Sequence, residues 1–277
     1  MNILAIETTG AEASVAIIDE AGNIAQAISH ENLNHLSFLM PLIGEALEKA
    51  NLKMSDIDVV AASEGPGSFT GIRIGVSSAR ALAQALNLPC IAVPTLKAFL
   101  YNKDENGQAY RDVCADVEGI VFCPLFDARR SQVYGGAYAW NGSRGAAISE
   151  DIAEVVEGKA YMLAEILELL AEKIKCAKDG VHYKNIIFFG DGVDKYGEDI
   201  KKWADESLEE NVQIEFAEAE RRYQHAVSVA KLARELSKEE RTCHYNDLKP
   251  NYMRKAEAER KLEEAKAAQQ ASESVRG

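Results

Sequence analysis

No stretch of this sequence approaches the roughly eighteen consecutive apolar residues that a membrane-spanning helix needs, so no membrane partner is expected. Cysteine is sparse and unpaired by spacing: five residues, at 90, 114, 123, 176 and 243, never closer than nine positions. An odd number with no CxxC excludes the usual metal and redox pairs and argues against a disulfide framework, leaving buried or idle thiols in a reducing compartment. Positive charge is short as well. Against 44 Asp and Glu stand 31 Lys and Arg, a net charge of −13. Broad direct binding of nucleic acid draws on cations that neutralise phosphates, so a polyanionic partner would have to be held locally or by another protein. Of the five histidines, His30 and His35 are five apart, off the i,i+4 spacing that places two imidazoles on one helix face, and the others are scattered singles. No basic segment precedes the apolar run that stops at Glu7, and the expectation is a cytoplasmic protein.

What is present suffices for a large core: 277 residues, 47 % of them hydrophobic, enough for one large or two modest domains. Asn2–Glu7, Ala13–Asp19 and Ile24–Ser29 read as a three-strand meander with a turn at 19–23. Leu33–Ala50 is helical in period, one apolar stripe holding Leu36, Leu39, Met40, Ile43 and Leu47 and a second holding Phe38, Leu42 and Ala46. That is more apolar surface than one sheet face covers. Strand Ile57–Ala62, helix Ile72–Leu86 and strand Leu88–Val93 follow; Ser77, Ser78, Ala79, Ala81, Ala83 and Ala85 make the helix fit for close approach by another helix. Asp104–Gly107 marks a boundary, then come strands Gly119–Phe126 and Gln132–Trp140, an Asn141-Gly142 turn, helix Tyr161–Cys176, strand Asn185–Phe189 and helices near Lys195–Ala204 and Tyr223–Leu236. From Lys255 the chain is Ala, Glu, Lys and Gln with one Leu262, a solvated helix or a disordered tail. Hairpin strands followed by βαβ units suggest a mixed sheet flanked by helices and duplicated, as in an actin-like or sugar-kinase-like core.

The densest motif is Gly65-Pro-Gly67-Ser68-Phe69-Thr70-Gly71-Ile-Arg73-Ile-Gly75, which leaves a strand and opens a helix. Such a turn sets free N–H groups beside the positive end of a helix dipole, where a phosphate or carboxylate can dock. It lacks the Gly-Lys-Ser/Thr of a Walker loop and misses the G-x-G-x-x-G spacing by one residue, so the plain strand-to-helix turn stands beside the docking reading. Ser68 and Thr70 have no neighbouring histidine and no G-x-S-x-G order, which excludes a hydrolase elbow. Asp127, Arg129 and Arg130 read as a turn in which Asp127 accepts backbone N–H bonds and two arginines are solvated, with partner or RNA contact as the other reading.

Ile6-Glu7-Thr8-Thr9, the Gly65–Gly75 run, Phe126-Asp-Ala-Arg-Arg-Ser-Gln-Val-Tyr134 and Pro250-Asn-Tyr-Met-Arg254 occur in this order, and through them the chain resembles the TsaB (YeaZ) family up to about Arg260. The resemblance implies an α/β actin-like/Hsp70/sugar-kinase (ASKHA) fold of two related domains, 1–101 with about 218–254, and 102–217. It implies an accessory, non-catalytic subunit of the bacterial machinery that places N6-threonylcarbamoyl on adenosine 37 of tRNA. The partners implied are the catalytic paralogue TsaD, the ATPase TsaE, and tRNA through the complex; alone, the chain would homodimerise. It would carry no cofactor of its own, with ATP or ADP at the joint with TsaD. Partner-facing residues are expected on two helices, His35, Leu36, Leu39, Met40 and Ile43 on one and Arg73, Val76 and Arg80 on the other. Residues near a nucleotide or anion are expected to be Glu7, Thr8, Thr9, Gly67, Ser68, Phe69, Thr70 and Gly71. On this reading Leu39→Glu or Ile43→Glu abolishes TsaD binding and spares the fold. Where the paralogue carries two histidines in His-Met-Glu-Gly-His, this chain has Thr95-Leu-Lys-Ala-Phe99, which implies no metal centre. The rival reading is a stand-alone ATPase or kinase of the same fold.

Overall fold

The computed structural model describes residues 1–29, 35–102, 119–141, 151–176 and 182–253, without the side chains of His35, Leu36 and Glu220. The boundary at Asp104–Gly107, the turn residue Gly142 and the tail from Lys255 lie outside these residues. Strands β1 (Ile3–Glu7), β2 (Ser14–Ile18), β3 (Ile24–Ile28), β4 (Val59–Gly65) and β5 (Cys90–Pro94) form one sheet in the order β3-β2-β1-β4-β5. β6 (Ile120–Asp127), β7 (Gln132–Trp140), β8 (Ile152–Met162), β9 (Asn185–Phe189) and β10 (Gln213–Phe216) form the second, β10-β9-β6-β7-β8. The pairing rule is the same in both. The first strand of each set runs antiparallel to the second and parallel to the fourth, so one five-stranded mixed sheet is built twice.

Helices α1 (His35–Ala50) and α2 (Phe69–Leu86) belong to the first unit, α3 (Leu163–Lys175) and α4 (Gly192–Ser207) to the second, and α5 (Ala226–Lys238) comes last. Because side chains alternate across a strand, the first sheet sorts its residues into two cores. Leu4, Ile6, Val15, Ile17, Val60 and Ala62 meet Leu39, Leu42, Ile43 and Ala46 of α1 and Ile72, Val76, Ala79 and Ala83 of α2. The odd positions Ile3, Ala5, Val59, Ala61, Ile91 and Val93 meet α5 through Val229, Ala230 and Ala233, in one cluster with Phe122, Tyr138, Ile187 and Phe189 of the second sheet. The opposite face of that second sheet, Val121, Cys123, Leu125, Ile186 and Phe188, is covered by Ile166, Leu170, Val193 and Ile200 of α3 and α4. Phe99 sits in the shared core, its ring 5.6 Å from Phe126 and 5.5 Å from Phe189.

Two strands differ from the sequence reading. The segment Ile152–Met162 is an edge strand where the reading placed nothing before a helix at Tyr161, and Gln213–Phe216 is a short, half-exposed edge strand. Element ends also move. β4 runs to Gly65 and α2 begins at Phe69, because Ser68 is its N-cap and accepts the Gly71 N–H at 3.2 Å. Asn87 closes α2 in the left-handed conformation (φ 54°), its N–H donating to the carbonyls of Ala83 and Gln84.

Candidate functional site

The stripe Gly71, Gly75, Ala79, Ala83 repeats every four residues along the buried side of α2 and lets the helix start lie directly on the end of β1. A Cβ on Gly71 would stand closer than 3.0 Å to the Thr8 carbonyl oxygen, and one on Gly67 would stand 2.7 Å from that of Thr9. Thr8 Oγ1 donates to the Gly71 carbonyl at 2.8 Å, and the Ser68 N–H donates to the Thr9 carbonyl at 2.8 Å. Much of this turn is therefore filled by the chain's own Thr8–Thr9 backbone. Gly67, Ser68 and Phe69 flank the contact and Thr70 is exposed; the Ser68 hydroxyl is committed as the cap.

Glu7 is fully buried at the end of β1. One carboxylate oxygen accepts the Thr9 N–H at 2.5 Å and the Thr9 hydroxyl at 2.6 Å; the other accepts the Ser63 hydroxyl. Burial pushes its pKa above the ordinary carboxylate range, while the Ser63 and Thr9 hydrogen bonds pull in the opposite direction. A carboxyl that is easier to protonate folded than unfolded costs stability as pH rises from its unfolded value near 4.5 through its raised folded value. Gln at this position keeps the acceptor for Thr9 and offers an N–H to the rotatable Ser63 hydroxyl. We expect Glu7→Gln to fold and to lose that part of the decline; chemical-denaturation curves of both proteins from pH 4 to 8 measure the difference, and parallel profiles would contradict it.

The second unit ends its first strand with Asp127, whose carboxylate accepts the Arg129 N–H (2.8 Å), the Tyr196 hydroxyl (2.9 Å) and Lys195 Nζ (2.9 Å). Burial raises this pKa, but the Lys195, Arg129 and Tyr196 hydrogen bonds and the Lys195 charge outweigh it and hold Asp127 below its ordinary value. Arg129, Arg130 and Ser131 are successive left-handed residues (φ 64°, 55° and 57°), and both arginines are exposed. Gln224, which the sequence did not flag, donates from Nε2 to Thr9 Oγ1 at 3.4 Å and packs against Gly10. Ser63 was missed too, although a polar residue at an inward position of an apolar strand is a readable signal.

The partner-facing residues divide sharply. Leu39, Ile43 and Val76 are each 1 % exposed and belong to the chain's own core, so they present no surface to a partner; Leu39, Leu42, Ile43 and Ala46 of α1 are taken up by the sheet. Ala79 and Ala83 are buried likewise. Met40 is 58 % exposed, Arg73 is exposed and Arg80 half-buried. The outer faces of the two helices carry Met40, Pro41 and Gly44 on α1 and Ser77, Ala81 and Ala85 on α2, and no atom of the described residues lies over Gly44. His35 and Leu36 open α1. Thr95 and Phe99 are committed to the fold: Thr95 Oγ1 accepts the Gly65 N–H at 3.2 Å, and Phe99 packs between the sheets.

Two copies of a mixed sheet in one strand order, with helices on the outer faces and a shared core between, define the actin-like, Hsp70 and sugar-kinase (ASKHA) class of protein. Residues 26–262 match the family model described as "TsaD: tRNA N6-adenosine threonylcarbamoyltransferase". The tRNA threonylcarbamoyladenosine biosynthesis protein TsaB of Bacillus subtilis is 31 % identical over 94 % of this chain and 97 % of its own. By contrast, the tRNA N6-adenosine threonylcarbamoyltransferase of Kosmotoga olearia, 34 % identical, aligns with only 36 % of this chain and 35 % of its own. Among solved structures, YeaZ from Pseudomonas aeruginosa superposes with a TM-score of 0.62 at 25 % identity, covering 91 % of this chain and 99 % of that one. The chain belongs to the TsaB (YeaZ) family.

Proposed function

We propose that this protein is an accessory subunit in the synthesis of N6-threonylcarbamoyladenosine at position 37 of tRNA, binding and activating TsaD without catalysing the transfer itself. The observation that carries the reading is the end-to-end match to B. subtilis TsaB. The geometry adds to it. Glu7 and Asp127, the carboxylates that end the first strand of each unit, are both engaged by neighbouring side chains, and the Ser68 hydroxyl is spent on a helix cap.

The surface assigned to TsaD is the outside of the helix pair, with Met40, Pro41, Gly44, Ser77, Ala81 and Ala85 at its centre and Arg73 and Arg80 beside it. Small side chains let a second pair of helices approach to short interaxial distance, and Met40 supplies an adaptable apolar anchor. In the absence of TsaD the same patch pairs with its own copy by two-fold symmetry. TsaE, and ATP or ADP at the joint with TsaD, complete the assembly, and tRNA is held through the complex, in keeping with the net charge of −13.

Gly44→Arg puts a long cation where no atom of the described residues now lies. The variant is expected to unfold at or slightly above the wild-type thermal transition, since Arg is a better helix former than Gly, and to lose at least a hundredfold in TsaD affinity, read by isothermal titration calorimetry. Unchanged affinity would remove this surface from the account.

A further inference from the structure

The five cysteines look idle by spacing, but the fold places two of them, 153 positions apart, opposite one another. Cys90 opens β5, and Cys243 forms an antiparallel bridge with it outside the sheet proper. Each backbone N–H donates to the other residue's carbonyl at 2.8 Å, which makes a reciprocal hydrogen-bonded pair. In that register facing Cα atoms lie about 5.5 Å apart, within the range a disulfide spans, while facing Cβ atoms stand roughly 1 Å beyond it, so closing the bond draws the Cys243 segment in toward β5.

We propose that Cys90 and Cys243 are an oxidisable pair, which a low-molecular-weight disulfide converts into an intramolecular disulfide that staples the segment 243–253 to β5. The Cys243 thiolate, half-buried and therefore the accessible member, attacks one sulfur of the external disulfide and releases one thiol. Cys90 then loses its proton to water and attacks the Cys243 sulfur, releasing the second thiol. Two protein thiols are oxidised and one external disulfide is reduced to two thiols. Burial is the main cause that raises the Cys90 pKa to about 12, which keeps Cys90 a thiol until the mixed disulfide stands beside it.

The staple would hold more than one strand end. Downstream of Cys243, Leu248 is fully buried and the Asn251 N–H donates to the Glu64 carbonyl at 2.7 Å. Tyr252 stacks on Phe69 at 4.7 Å and accepts Arg73 Nε at 2.9 Å, so the segment ends on the first turn of α2.

The test uses the full chain with Cys114→Ser and Cys176→Ser, incubated with oxidised glutathione, quenched in acid, alkylated in denaturant and digested with trypsin without reduction. The expected product joins peptide 81–97 to peptide 242–254, and amide exchange at Leu248 and Asn251 slows at least tenfold. Adding Cys243→Ala, at the less buried of the two sites, should remove the joined peptide and leave Cys90 alkylated. Glutathione retained on Cys243 with Cys90 free, or a joined peptide without slower exchange, would overturn the proposal.

Discussion

Gly71→Ala is expected to cost roughly 3 kcal/mol or more, although it adds a single methyl group to a helix. The intrinsic preference runs the other way, since Ala is favoured over Gly in a helix interior by about 0.8–1 kcal/mol. What decides is the partner atom. The added Cβ would meet the Thr8 carbonyl oxygen at well under 3.0 Å, and that oxygen is backbone, fixed by its place at the end of β1. Either α2 lifts from the sheet, losing part of the contact of Ile72, Val76 and Ala79 with Leu4 and Ile6, or the Thr8–Thr9 segment shifts and takes the Glu7 hydrogen bonds with it. Gly44→Ala is the matched control: no atom of the described residues lies within 4 Å of the new methyl, so it should gain about 0.5–1 kcal/mol. Urea denaturation of the two variants measures the contrast, and equal stabilities would mean that the turn yields.

Leu39→Glu is the second large effect, and its direction separates core from interface. Were Leu39 on a partner surface, the variant would fold and fail to bind. At 1 % exposure, in an apolar cluster with Leu42, Ile43 and Val15, the carboxylate would be withdrawn from solvent, and the cost should be on the order of 4 kcal/mol or more. Most of a domain's net stability is of that size, so the chain should be largely unfolded near neutral pH by circular dichroism. A folded Leu39→Glu protein would show that α1 sits on the sheet differently.

These two residues also show what the sequence disclosed. Period fixed the existence of α1 and its apolar stripe, and alternation marked most of the strands. Neither could say that Leu39 and Ile43 would be buried by the sheet while Met40 of the same stripe stays exposed, because periodicity identifies an apolar face and not what covers it. Of the residues expected to face a partner, Leu39, Ile43 and Val76 are therefore buried in the chain's own core, while Met40, Arg73 and Arg80 keep exposed surface. β8 and β10 were invisible for a related reason: an edge strand is half-solvated, and IAEVVEGKAYM and QIEF mix charge with apolar residues. At the site, the glycine-rich turn read as a place for an anion or as a plain turn, whereas the groups that pack against it, Thr8 and Thr9, are some sixty residues away in sequence. Gln224 and the Cys90–Cys243 pairing carried no local signal at all, since both are products of the chain's return to the first sheet through α5.

The central claim is that the chain acts by completing TsaD. The direct measurement is N6-threonylcarbamoyladenosine formed from tRNA, ATP, threonylcarbamoyl-adenylate, TsaD and TsaE, with and without this protein. Product that appears only when the wild-type chain is added, and that the stably folded Gly44→Arg variant does not restore, is the predicted result. Equal product in its absence, together with magnesium-dependent ATP turnover by the chain alone, would contradict the account and point to an independent ATPase.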